Sequence, residues 1–168
     1  MKESELKALI WKHAERLDTV ETEVRDGALA LAALACCEST FGRNNQPRIE
    51  KSYLPGGYYW SRALHVRRLY QRFGKAAAAS WGPWQILFVT AWELGYRGNP
   101  QDLASPEVSL PWVIKYLNDR VLCWGGVTLE ELADAYNSGS FMDAYEPKSY
   151  IHKFLQAYEH EAREWLYD

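Results

Sequence analysis

The feature that most constrains the fold is an apolar run, ALALAALACCESTF, from Ala28 to Phe41. Apolar residues fall on nearly every side of a helix built from this run, which predicts a helix through the centre of a core rather than along its surface. Ser39, Thr40 and Gly42 indicate where this helix ends. The run carries one acidic side chain, Glu38, and delivers it to the helix end.

Glu38 can be interpreted in two ways. A carboxyl group at the end of an apolar helix is poorly hydrated in its charged form, which raises its pKa and suits it to donate a proton near neutral pH. The alternative is a glutamate in the last helical turn that points into water, as most glutamates do. The run by itself leaves both interpretations open.

The length and patterning of the chain indicate the fold class. With 168 residues the chain can bury a substantial core, and we expect one domain over 1–168. Helical spacing of apolar residues predicts a mainly α-helical domain around the buried central helix. The segment 43–60, RNNQPRIEKSYLPGGYYW, is rich in turn residues and is the expected place of a small irregular or β-hairpin lobe.

Capping and turn residues set the expected helix boundaries. Helices are predicted over 3–19, over 61–73, from after Gln85 to Gly95, from Ser105 or (because of Pro111) Ser109 to Gly125, from Thr128 to Tyr136, and from Pro147 onward. Residues 80–84 are expected to form a rigid aromatic turn.

Charge is unevenly distributed along the chain. The net charge of −3 argues against nucleic acid as a partner. However, the stretch from Lys51 to Trp92 contains no acidic residue, and we call its cations the basic band: Lys51, Arg62, Arg67, Arg68, Arg72 and Lys75. Such a band either faces an anionic polymer or is a solvated helix surface.

Cysteine spacing and the N-terminal sequence exclude some classes. Cys36, Cys37 and Cys123 lack the spacing of a disulfide framework or a metal site, so we expect small core residues, no metal and no cofactor. The charged N-terminus has no apolar stretch of a signal peptide, and the central run is too short to span a bilayer. We therefore expect no signal peptide and no stable membrane insertion.

Three separated motifs stand out together. They are Glu38-Ser39, then Ser80-Trp81-Gly82-Pro83-Trp84-Gln85-Ile86, then Ala135-Tyr136-Asn137-Ser138-Gly139. In this order they resemble the lysozyme-like lytic transglycosylases and phage N-acetylmuramidases, the group that includes goose-type lysozymes. The resemblance spans about Ala28 to Tyr158. Pro47-Arg48-Ile49-Glu50 also resembles a segment that some muramidases carry after the first glutamate.

The resemblance implies a lysozyme-like fold and an enzyme that cleaves the β-1,4 bond between N-acetylmuramic acid and N-acetylglucosamine. Glu38 would be the general acid, and Glu50 the candidate second carboxylate. Substrate contacts are implied for Ser80, Trp81, Trp84, Gln85, Tyr136, Asn137 and Tyr150. Trp81 and Trp84 stand where the family usually has glycine and methionine, which implies narrower or more aromatic subsites.

Several of these residues also have a structural interpretation. Gln85 could cap a turn, and one of the two tryptophans, Trp81 or Trp84, could belong to the core. Tyr136 could be a packed side chain, and Asn137 could occupy a left-handed turn before the following glycine.

The sequence leaves more than one function open. Water placed by a second carboxylate gives hydrolysis, whereas attack by the muramyl C6 hydroxyl gives a 1,6-anhydro product. A non-catalytic peptidoglycan-binding or virion structural module and a plain helical interaction domain are the alternatives. The expected context is a monomeric phage or prophage lysin, made in the host cytoplasm, which acts on glycan strands of the wall through a holin or as part of a virion.

Overall fold

The computed structural model describes residues 2–20, 22–139 and 148–168. These residues form a mainly helical structure with a small antiparallel sheet, which confirms the expected fold class. The helices are α1 (Glu3–Ala14), α2 (Gly27–Ser39), α3 (Tyr58–Arg62), α4 (Leu64–Phe73), α5 (Phe88–Glu93), α6 (Pro106–Arg120), α7 (Leu129–Ser138), α8 (Lys148–Gln156) and α9 (Ala162–Tyr167). The expected start of the last helix at Pro147 lies outside the described residues.

Helix α2 is the predicted central helix. The Asp26 side chain accepts a hydrogen bond from the Leu29 amide at 2.9 Å and caps its N-terminus. Every residue from Ala28 to Ala35 is buried, because α1 covers one side and the α8 to α9 region covers another. The helix ends at Ser39, where Thr40 takes a left-handed conformation with φ 53°. This end is the one the sequence predicts.

Several helix boundaries differ from the expected ones, and the helix expected over 61–73 is divided into α3 and α4. Helix α1 stops at Ala14 instead of residue 19, and α7 continues to Ser138, with Gly139 as its left-handed C-cap. Helix α6 begins at Pro106, after Ser105, which is the first of the two expected starts, and it runs through Pro111 but ends at Arg120 rather than at Gly125. Proline at the first helical position favours that start, and the buried apolar face further along α6 outweighs the one backbone hydrogen bond that Pro111 cannot donate.

The sheet has the order β1 (Arg48–Ile49), β2 (Ala79–Trp81), β3 (Ile86–Leu87), and both pairings are antiparallel. Of the two alternatives for 43–60, the irregular lobe is confirmed and the hairpin is not, since only β1 lies there and is followed by a 3₁₀ turn, Lys51–Tyr53, and by α3. The hairpin is instead β2 and β3. The long-range pairing of Arg48 with Ser80 joins this hairpin to β1, and local turn residues could not reveal it.

The turn between β2 and β3 is anchored to the end of α2. Gly82 has φ +78°, and a Cβ there would lie 2.6 Å from the Leu103 carbonyl oxygen, so only glycine fits. The Ser39 hydroxyl donates to the Pro83 carbonyl oxygen at 2.7 Å. These contacts place the carboxyl end of α2 beside the turn and next to β1.

A search of the described part of the chain for a helix both long and apolar enough to cross a bilayer finds none.

Candidate active site

Glu38 lies in the last turn of α2, and its side chain is only 6% exposed. The Tyr150 hydroxyl, from α8, donates a hydrogen bond to Glu38 Oε1 at 2.6 Å. Burial, the largest influence, raises the pKa of Glu38, while Tyr150 and the neighbouring cations oppose it. The prediction of a buried carboxyl with a raised pKa is therefore confirmed, and the water-facing alternative is wrong.

Glu50 lies near Glu38, and Arg48 connects the two. Arg48 Nε donates to Glu50 Oε1 at 2.8 Å, and Nη1 of the same guanidinium lies 3.5 Å from Glu38 Oε2. The Ser80 hydroxyl donates to Glu50 Oε1 at 3.2 Å. The β1 and β2 pairing brings Arg48 opposite Ser80 and so builds this cluster. It holds both predicted catalytic carboxylates.

A cleft with a volume of about 560 Å³ begins at this cluster. Of the predicted site residues, Glu50, Ser80, Gln85, Tyr136 and Asn137 line it. Glu38, Tyr150 and the two tryptophans are not among the lining residues. Glu38 reaches the cleft only through Arg48, which lines the cleft and contacts its carboxyl group.

The two tryptophans of the aromatic turn are buried and do not lie at the cleft. Trp84 is completely buried, and its indole N–H donates to the Leu31 carbonyl oxygen at 2.8 Å. Trp81 is 8% exposed and donates to the Ala76 carbonyl oxygen at 3.2 Å. Both rings belong to the hydrophobic core, so neither offers a free face to a sugar. The expectation that they make the subsites more aromatic is wrong.

Gln85 shapes the turn and also lines the cleft. Its side-chain amide donates to the carbonyl oxygens of Gly82 at 3.0 Å and Gln46 at 3.3 Å, and its backbone has φ 48°. These contacts favour the structural interpretation, in which the amide closes the turn. A sugar contact from Gln85 stays a prediction.

Tyr136 and Asn137 lie in the last turn of α7. The Tyr136 hydroxyl donates to the Trp84 carbonyl oxygen at 2.7 Å, and burial, followed by the charge of nearby Glu38, holds its pKa well above the usual range. Tyr136 therefore does not donate to Glu38, and Tyr150 is the tyrosine that does. Asn137 is exposed at the cleft, and its helical position rules out the left-handed alternative, which Gly139 fulfils instead.

The cleft is also lined by residues that the sequence analysis missed. His65 Nε2 lies 2.8 Å from Glu93 Oε1, and Arg120 donates to Glu93 Oε2 at 3.0 Å. Tyr59, 43% exposed, stacks on Tyr53 with ring centroids 4.6 Å apart. No motif joins these distant positions. Arg48 had a detectable signal, because it is two residues from Glu50 on an extended segment, where alternate side chains share a face.

The described residues contain no group of three or more His, Cys, Asp or Glu side chains arranged to hold a metal ion. Cys37 is buried, which raises the pKa of its thiol to about 12, and Cys36 is half-buried. Cys123 is exposed, contrary to the expectation of a core residue, since it follows the end of α6.

Comparison of the chain with protein-family models, with curated proteins and with solved structures finds no match. The residues of the cleft and the sequence motifs are therefore what point to a function.

Proposed function

We propose that the protein is a peptidoglycan-degrading glycosidase that cleaves the β-1,4 bond between N-acetylmuramic acid and N-acetylglucosamine. One observation carries the proposal: the buried Glu38 carboxyl group, held by Tyr150, shares the Arg48 guanidinium with a second carboxylate, Glu50, and both Arg48 and Glu50 line the cleft. A carboxyl whose pKa is raised by burial and a nearby carboxylate are the pair that glycoside cleavage requires. The order of the three sequence motifs supports the same chemistry.

In the proposed mechanism the Glu38 carboxyl group donates its proton to the glycosidic oxygen. The bond between C1 and that oxygen breaks, and its electron pair stays on the leaving oxygen. Two routes can consume the oxocarbenium-like species. Glu50 can accept a proton from water as that water attacks C1, or the muramyl C6 hydroxyl can attack C1 and return a proton to Glu38. The first route gives a reducing end and the second a 1,6-anhydro end.

The wider context belongs to the same proposal. The resemblance to phage enzymes supports a monomeric phage or prophage lysin that works without a cofactor. Its partner would be the glycan strands of the bacterial wall, reached through a holin or from a virion.

A non-catalytic peptidoglycan-binding or virion structural module is the second candidate. It is favoured by one observation, since Arg48 rather than open space lies against Glu38 Oε2. In such a module the Arg48 contact would simply neutralise two carboxylates, and sugar binding would persist without turnover.

Digestion of purified peptidoglycan, followed by mass spectrometry of the released fragments, tests the proposal. Wild-type protein should release muropeptides with either reducing or 1,6-anhydro ends. Glu38→Gln should lose activity toward the upper end of the ~10²–10⁴-fold that general acid catalysis contributes, because the amide cannot donate the proton. Glu130→Gln, the same change at an exposed glutamate of α7, is the matched control and should keep full activity.

Glu50→Gln separates the two routes. A hydrolase that places water through Glu50 should lose nearly as much activity as Glu38→Gln, whereas a transglycosylase should lose far less and still release anhydro ends. We expect Glu50→Gln to lose activity. Absence of any cleavage product from the wild-type protein, or substantial activity in Glu38→Gln, would reject the catalytic proposal.

A further inference from the structure

We propose that Arg48 is a positioning residue that holds the two carboxylates together, and that a bound glycan takes its place on Glu38. The inference rests on the proposed function, because it assigns how the same site receives its substrate. It is carried by the contacts of one guanidinium group.

Arg48 binds its two partners unequally. Its Nε lies 2.8 Å from Glu50 Oε1, but its Nη1 lies 3.5 Å from Glu38 Oε2. The Arg48 side chain is 59% exposed, whereas that of Glu38 is 6% exposed. The arginine is therefore free to turn on its exposed side, and the longer contact, to Glu38, is the weaker one to break.

The geometry of Glu38 determines which oxygen a sugar reaches. Tyr150 already donates to Oε1 at 2.6 Å, so Oε2 is the oxygen that would carry the acidic proton toward a glycosidic oxygen. Proton donation needs an approach of about 2.6–3.2 Å between those two oxygens. Arg48 lies on that same Oε2, so a productive sugar has to displace Nη1 from it. Glu50 can retain Arg48 through Nε during this change.

Displacement of Arg48 would also favour the protonated form of Glu38. The titratable and charged groups that face Glu38 come from four elements: Arg48 from β1, Tyr150 and Lys153 from α8, Tyr136 from α7 and Cys37 from α2. Of these, the two cations and the Tyr150 hydrogen bond lower the pKa of Glu38, and burial raises it. When Arg48 leaves, one of the lowering influences goes with it. The glycan would thus promote protonation of the carboxyl group that must protonate it.

The contact of Arg48 with Glu38 can be tested by nuclear magnetic resonance titration of the full chain with ¹³C-labelled glutamate side chains. This measurement does not depend on turnover. Glu38→Gln identifies the Glu38 signal. Arg48→Gln should move the Glu38 titration midpoint to higher pH, and Arg48→Lys should partly restore it by keeping a positive charge. Arg43→Gln is the matched control, since Arg43 is an exposed arginine paired with Glu3, and it should leave the midpoint unchanged.

Addition of tri-N-acetylchitotriose tests the displacement. Saturation with this sugar should raise the Glu38 midpoint in the wild-type protein, should shift the guanidinium signals of Arg48, and should raise the midpoint less in Arg48→Gln, where there is no arginine to displace. Equal midpoints in wild type and Arg48→Gln, a sugar that does not bind, or bound sugar that leaves the Arg48 signals unchanged would overturn the inference. If these shifts occur but peptidoglycan is not cleaved, the proposal of an enzyme fails, whereas the role of Arg48 between the two carboxylates is upheld.

Discussion

At the scale of single residues, the environment of Glu38 favours its neutral form at a cost in stability. Burial raises its pKa above the value in the unfolded chain. As pH rises, the unfolded chain therefore loses this proton first, and the folded state then holds more protons. The stability that this residue contributes is complete below the unfolded pKa and is lost as pH rises through the folded pKa.

We accordingly expect Glu38→Gln to gain stability relative to wild type as pH rises. The glutamine has no charge to bury, so the gain should start above the unfolded pKa of glutamate, with a slope of at most about 1.4 kcal/mol per pH unit. Denaturant unfolding at a series of pH values measures this. A constant difference between the two proteins at all pH values would show that Glu38 does not titrate differently in the folded state.

At the scale of elements, α8 fixes the carboxyl end of α2. Tyr150 donates to Glu38, and three residues later on the same face Lys153 Nζ donates to the Cys37 carbonyl oxygen at 2.5 Å. A cation at a helix C-terminus is favourable because it opposes the negative end of the helix dipole. Helix α8 therefore both positions the acid and stabilises the helix that carries it.

Tyr150→Phe tests this role of α8. Loss of the hydroxyl removes a hydrogen bond that favours the ionised carboxyl group, so the titration midpoint of Glu38 should rise. The free energy of unfolding should fall by about 1.5–3 kcal/mol at a pH above the folded-state pKa of Glu38, where the bond reaches a charged group, and by about 0.5–1.5 kcal/mol below it. Tyr136→Phe is the control, since that hydroxyl donates to a backbone carbonyl, and the Glu38 midpoint should not move. Equal midpoints in all three proteins would contradict the assignment.

The turn between β2 and β3 gives a second prediction at this scale. The reference substitution is Gly126→Ala, outside this turn, where φ is +60° and the space around the added Cβ is open. It should lower the free energy of unfolding only by the backbone strain of about 1–2 kcal/mol. Gly82→Ala should cost more, because the Leu103 carbonyl and Ser109 must also move, and overpacking typically adds about 1–3 kcal/mol. Thermal unfolding of both variants measures the difference. Similar losses would mean that the close packing of this turn is not needed.

At the scale of the whole molecule, the basic band should attract the anionic cell wall. Arg62, Arg68 and Arg72 are exposed, although Arg62 and Arg72 also lie over aromatic rings, at 3.9 Å from the Tyr58 centroid and 4.9 Å from that of Phe73. Arg67 instead donates to backbone carbonyls at the end of α3 and fits the structural interpretation.

We therefore expect binding to isolated walls to weaken between about 0.05 and about 0.5 M salt, because salt screens exposed charges. Replacement of Arg62, Arg68 and Arg72 by glutamine should reduce both the binding and its salt dependence in a pelleting assay. Arg163→Gln, at an exposed arginine of α9, is the control and should leave both as in wild type. Binding that is indifferent to salt would identify the band as a solvated surface.

The position of the central helix could be predicted from the sequence. An apolar run of this length has to be buried, so the helix and its place in the core follow from local sequence. The run left open whether Glu38 at its end is buried with a raised pKa or points into water. Helix ends with strong capping signals, such as Thr128 with Glu131 at the start of α7, were equally predictable.

Which side chains meet at Glu38 depends on how distant elements pack together. The pairing of β1 with β2 brings Arg48 and Glu50 to Ser80, and the docking of α8 on α2 makes Tyr150 the hydrogen-bond donor to Glu38. The same packing buries Trp84 completely. Contacts between residues tens of positions apart depend on how whole elements pack, and the spacing of residues along the chain does not contain that information.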